Sequence, residues 1–248
     1  MAAESARFRS VLADAPPEAH VPTCPDWNAS DLLWHLAEVQ HFWGTIVAGR
    51  LDRPPGSTPE RPADRDELLE FFDSSNGLLV SSLTGTPDET PVWTWASSAR
   101  NVGFVRRRQA HEAVIHRLDA ELTVGLVTDL DADLATDGIA EALEHMFGGA
   151  PPWATRTGTG RIGAVSASDT GARWLVQLGR WSGTSPNTGT SYADEGMIDV
   201  VDAGEPTFEV SGRAGDLDAW FWSRPPGGPI DRHGDVAELE AIIAAGVQ

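Results

Sequence analysis

The chain has 248 residues, enough to bury a core in one large or two small domains, and its 37 acidic against 18 basic side chains leave a formal charge of −19. That charge repels nucleic-acid phosphates and anionic lipid, and because every basic residue is Arg, chemistry that needs a catalytic or phosphate-binding lysine is excluded. The one cysteine, Cys24, rules out an internal disulfide and a Cys-only metal site.

The charged N-terminal stretch has no apolar signal region, and no run is long enough to span a bilayer. A cytoplasmic protein without nucleic-acid or membrane partners is therefore expected. A leading helix is predicted up to Ala13. From Asn28 to Ala48, the residues Leu32, Leu36, Val39, Trp43 and Ile46 share one helical stripe, with Asn28 as N-cap and Asp31 answering it at the third helical position. A second long helix is predicted from Asp64 to Leu83, between the Pro-rich segment 53–62 and a stop at TGTP. A third follows from Val102 to Leu122, and a shorter one from Thr136 to Phe147. Such a series suggests a helical bundle.

After Pro151-Pro152 the texture changes to Gly, Thr and Ser with short alternating runs. Strands are predicted within 161–168, 172–181, 197–203 and 206–212, and helices within 215–225 and 234–246. The expectation is a two-domain α+β chain, with a helical bundle over 1–150 and a small α+β domain over 151–248.

The chemistry concentrates in HEAVIHRLD, residues 111–119. Glu112 and His116 lie four apart, one above the other on a helix face, and can share one ion, whereas His111 points elsewhere. His35 interrupts the apolar stripe of the Asn28 helix, and a buried imidazole needs a partner. Two nitrogens and one carboxylate from two helices make a three-ligand zinc site with an open position, the pattern of catalytic zinc. The bland alternatives are a solvated i,i+4 pair and a satisfied core histidine.

The stretch VPTCPDWNASDLLWHLAEVQHFW resembles the first signature of the mycothiol-dependent maleylpyruvate isomerase family, and RRRQAHEAVIHRLDAE resembles its second. The resemblance implies a DinB-like helical bundle whose first-motif His and second-motif Glu and final His bind a divalent metal, normally zinc. Those positions are His35, Glu112 and His116. FEVSGRAGDLDAWFWSRP resembles the family's small sterol-carrier-like C-terminal α/β domain. There an Arg aids activity, and Arg224 takes its place; the other reading of Arg224 is an exposed arginine at a helix end.

The resemblance further implies that zinc binds the mycothiol sulfur and makes a thiolate available to an α,β-unsaturated, anionic small molecule, giving cis–trans isomerisation. The alternatives are a mycothiol S-transferase, or a non-catalytic binding module in which His41 or Glu38 closes the metal site. A monomer or weak homodimer is expected. Cys24 reads as a packed small residue, Trp27 as a staple at the start of the helix, and Arg106, Arg107 and Arg108 either as an anion-attracting group or as a solvated face. Asp119 either orients His116 or faces solvent.

Overall fold

The structure, a computed structural model, describes residues 1–96, 98–148 and 150–246. The chain divides into two units, Met1–Thr128 and Asp129–Gln248. The first contains four helices, α1 (Ala2–Asp14), α2 (Ala29–Gly49), α3 (Arg65–Leu83) and α4 (Val102–Thr123).

Local signals set the helix starts. The Asn28 side chain accepts from the Asp31 amide at 3.0 Å while the Asp31 carboxylate accepts from the Asn28 amide at 2.9 Å, a reciprocal capping box. Asp64 accepts from the amides of Asp66 and Glu67 at the start of α3, and Asn101 accepts from Phe104 N–H at the start of α4. The apolar faces then fill two clusters. One joins Phe8 and Leu12 of α1 to Leu32, Leu33 and Leu36 of α2 and to Phe72 of α3, and the other joins Trp43 and Ile46 to Leu79 and Val105. Helices α2 and α3 approach closely at Gly44, where an added Cβ would lie 3.0 Å from Leu79 N.

The second unit is a five-stranded sheet ordered β3-β2-β1-β4-β5, with β1 Thr155–Ala167, β2 Arg173–Thr184, β3 Ser191–Val201, β4 Phe208–Gly212 and β5 Asp231–Gly234. All neighbours are antiparallel except β1 and β4, which run parallel. Helices α5 (Ala132–Glu141), α6 (Ala214–Phe221) and α7 (Ala237–Ala245), with a π-helical turn at Ala142–Phe147, pack into the core with the sheet. Gly163 faces Phe208 across the parallel pair, where a Cβ would lie 2.1 Å from the ring, so only glycine leaves room for this ring.

The two-domain α+β class matches the expectation, but the division between units falls at Thr128 and not at residue 150. Ala135, Ile139, Leu143 and Phe147 bury themselves in the sheet unit's core, so the helical texture before residue 150 belongs partly to the second unit. The helix predicted from Thr136 starts earlier, at Ala132, because Asp131 caps Leu134 N–H, and it passes into the π-helical turn at Ala142. Among the described residues no helix is long and apolar enough to cross a membrane.

Candidate metal centre

The start of the first signature, residues 21–27, folds as two consecutive tight turns. Cys24 N–H donates to Val21 C=O at 3.1 Å, and Trp27 N–H donates to Cys24 C=O at 2.8 Å. Each turn has proline at its second position, Pro22 and Pro25, where the fixed φ of the ring suits the geometry. Val21 N–H donates to Trp27 C=O at 3.0 Å and closes the loop. Cys24 is the shared corner residue, partly buried against the apolar cluster, as its packed reading implied.

The loop delivers Trp27 to the two histidines, with ring centroids 4.8 Å from His35 and 6.5 Å from His116. Trp27 therefore packs against the candidate ligands as well as beside the start of α2. His35, one turn and a half into α2, and Glu112 and His116, one turn apart on α4, turn their polar atoms toward a common point. His35 Nε2 lies 3.4 Å and His116 Nε2 3.2 Å from the same oxygen, Glu112 Oε1. One ligand atom from each residue lies within 4.8 Å of the others.

This donor set fits a divalent transition metal. Metal–ligand bonds of about 2 Å in a tetrahedron place neighbouring ligand atoms about 3.3 Å apart, close to the two separations at Glu112 Oε1. The surrounding groups orient the donors. The second carboxylate oxygen, Oε2, accepts from Arg108 at 2.8 Å, which leaves Oε1 to the cluster. His116 Nδ1 lies 2.9 Å from Asp119 Oδ2, which fixes the ring with Nε2 directed at the cluster, where a metal would displace the proton shared with Glu112. Asp119 is fully buried; of its two readings, the structure supports the one that orients His116.

The electrostatics agree. Burial opposes ionisation of Glu112, but hydrogen bonds from His116 and His35 and the Arg108 charge outweigh it and hold the carboxyl well below the ordinary range. Burial likewise opposes charge on His116, yet Asp119 and Glu112 overcome it and raise its pKa to about 9. Carboxylates that favour a proton at this ring favour any cation there.

Among the described residues, the cluster contains these three side chains and no fourth. His41 packs instead against Phe71, and His111 is buried outside the cluster. In the Arg106–Arg108 run, Arg106 and Arg108 are engaged with nearby acceptors. Arg106 bonds Asp88 and the carbonyls of Leu83 and Thr86, and Arg108 is buried against Glu112. The helical spacing of Arg108 and Glu112 was a legible signal for that pair. Arg224 belongs to the second unit, just beyond α6, half-buried, with its guanidinium donating to Trp222 C=O at 2.6 Å.

The rest of the second signature ties α4 to α1. Arg117 donates to Glu4 at 2.8 Å, to Glu121 at 3.0 Å and to the Thr128 hydroxyl at 2.7 Å, while Arg7 donates to Glu121 at 2.8 Å. Both Arg117 and Glu121 are buried.

Two solved structures share this fold. One, a crystal structure of the mycothiol-dependent maleylpyruvate isomerase, is 15% identical with a TM-score of 0.62, over 95% of this chain and 91% of that one. The other, a histidine-to-alanine mutant of a mycothiol-dependent maleylpyruvate isomerase, is 14% identical with a TM-score of 0.58 over the same shares. No curated protein sequence matches the chain. Residues 1–121 match the family model described as the mycothiol maleylpyruvate isomerase N-terminal domain, and they contain both signatures and all three clustered side chains. Residues 1–121 are thus a mycothiol maleylpyruvate isomerase N-terminal domain.

Proposed function

We propose that the chain is a metal- and mycothiol-dependent enzyme of maleylpyruvate isomerase type, acting on a small, anionic, α,β-unsaturated compound. The observation that carries this reading is the convergence of His35 Nε2, Glu112 Oε1 and His116 Nε2 with no fourth protein ligand among the described residues. Three protein ligands and an open position distinguish catalytic from structural zinc. A divalent metal held there supplies a Lewis acid that lowers the pKa of a bound thiol and keeps it as thiolate at neutral pH.

The chain's own residues do the rest. His35 and His116 each offer a ring nitrogen, and Glu112 one oxygen whose partner oxygen is fixed by Arg108. Asp119 holds the His116 ring by its other nitrogen. Trp27 lays an apolar ring beside both imidazoles, which limits water around them. Arg224 is the candidate cation for a substrate carboxylate, a role that suits a guanidinium in a chain of net charge −19. The lone cysteine is partly buried, with its side chain packed against the apolar cluster, so the nucleophile is assigned to an external thiol.

The test is turnover of a maleylpyruvate-like diacid by zinc-loaded protein with and without mycothiol, repeated with Cys24→Ala. Thiol-dependent isomerisation that survives Cys24→Ala supports the reading. Full turnover without thiol refutes the cofactor, and a thioether that accumulates assigns an S-transferase instead.

A further inference from the structure

We propose that Thr23 is a positioning residue of the metal centre, acting on His116 through Asp119. This rests on the metal-binding reading of the His35–Glu112–His116 cluster and extends it to a residue outside the ligand set.

Thr23 Oγ1 donates to Asp119 Oδ1 at 2.6 Å, and Asp119 Oδ2 lies 2.9 Å from His116 Nδ1. The chain of contacts thus runs from a loop hydroxyl through a fully buried carboxylate to the far side of a candidate ligand ring. A carboxylate can rotate about its terminal bond, and anchoring one oxygen fixes the direction of the other. With Oδ1 held by Thr23, Oδ2 stays in line with the imidazole and the ring keeps Nε2 aimed at Glu112 Oε1, 3.2 Å away.

The hydroxyl itself is held in place. Thr23 is the third residue of the turn that begins at Val21, with Pro22 before it and the Pro25 turn directly after Cys24, so its backbone has little freedom. The His20–Asn28 bridge and the Val21–Trp27 bond close the loop behind it. The two prolines therefore fix Thr23 against Asp119 and bring Trp27 beside the His35 and His116 rings. Groups that orient a ligand from outside its coordination sphere are worth roughly 10-fold or more in metal affinity.

The experiment measures zinc affinity by chelator competition, and the absorption spectrum of the cobalt-substituted protein, for wild type, Thr23→Val, Thr23→Ser and Asp119→Asn, with circular dichroism as the control for folding. Thr23→Val, which keeps the shape but loses the hydroxyl, is expected to bind zinc roughly 10-fold more weakly and to shift the cobalt spectrum. Thr23→Ser is expected to restore both. In the Asp119→Asn background Thr23→Val should cost nothing further, because the two act in series. Should Thr23→Val fail to fold, Thr23→Ala takes its place. Wild-type affinity in Thr23→Val, failure of Thr23→Ser to rescue, or full additivity with Asp119→Asn would each overturn the proposal. A wild-type protein that binds no metal overturns the underlying reading, and is told apart because it fails before any substitution is made.

Discussion

Helix α4 carries two groups of buried charge, and they solve opposite problems. On one face Glu112, His116 and Asp119 line up with Arg108, while on another Arg117 and Glu121 meet Glu4 and Arg7 from α1 and Thr128 beyond the helix end. Successive helical residues turn by about 100°, so residues 112, 116 and 119 share one face and 117 and 121 another. In the Arg117 group, donors meet acceptors and the charges close on one another. At Glu112, by contrast, two imidazole nitrogens crowd a single carboxylate oxygen whose neighbour is already occupied by Arg108. The difference separates a structural clamp from the candidate metal site within one short motif. Polar groups that pair on separate partners hold helices together, whereas ligand-type atoms crowded on one oxygen can exchange a shared proton for a cation.

The largest expected effects come from breaking the convergent side. His35→Ala, His116→Ala and Glu112→Gln are each expected to weaken zinc binding by about 100-fold or more while the helical circular dichroism persists, since the apolar stripes of α2 and α4 are untouched. Metal analysis after dialysis checks this, and unchanged zinc in all three variants would remove the site. Breaking the paired side should do the reverse. Arg117→Ala leaves Glu121 buried with only Arg7 for charge compensation, and is expected to cost about 3 kcal/mol in urea unfolding with little change in zinc affinity of the folded protein.

A smaller effect follows from pH. Burial opposes ionisation of Glu121, but bonds from Arg7 and Thr128 and the charge of Arg117 outweigh it and lower its pKa below the ordinary value. A carboxyl lowered on folding stabilises the protein fully above its unfolded pKa, near 4.5, and that contribution is lost as pH falls through the folded value. Unfolding midpoints measured from neutral to acid pH should therefore drop less steeply in Glu121→Gln than in wild type. Equal slopes would show that the clamp does not depend on this charge. The smallest effect on metal is expected at Arg224→Ala, where zinc content should stay at the wild-type level while turnover of an anionic substrate falls.

The helices were legible because their boundaries are local chemistry. Asn28 with Asp31, Asp64 and Asn101 each cap a helix where the pattern begins. The candidate cluster was legible for the same reason in Glu112 and His116, whose spacing is a helix turn, and in His35, a polar residue in an apolar stripe. What escaped depends on partners distant in sequence. The stretch 132–147 looks like one more bundle helix, and only the sheet it covers assigns Ile139 and Phe147 to the second unit. Strand β5 is four exposed residues, Asp231–Gly234, with no alternation to read, and exists because β4 offers an edge. Thr23 could not be singled out either. Its neighbours Pro22 and Pro25 signal two turns, but the bond to Asp119 spans 96 positions of sequence.

The central claim, that α2 and α4 hold a metal able to take an external thiol, is tested most directly by adding mycothiol to the cobalt-substituted protein and following its absorption. The account predicts a saturable sulfur-to-cobalt charge-transfer band that persists in Cys24→Ala and is absent in His116→Ala. A cobalt spectrum that mycothiol leaves unchanged, or a band that disappears with Cys24, would contradict it.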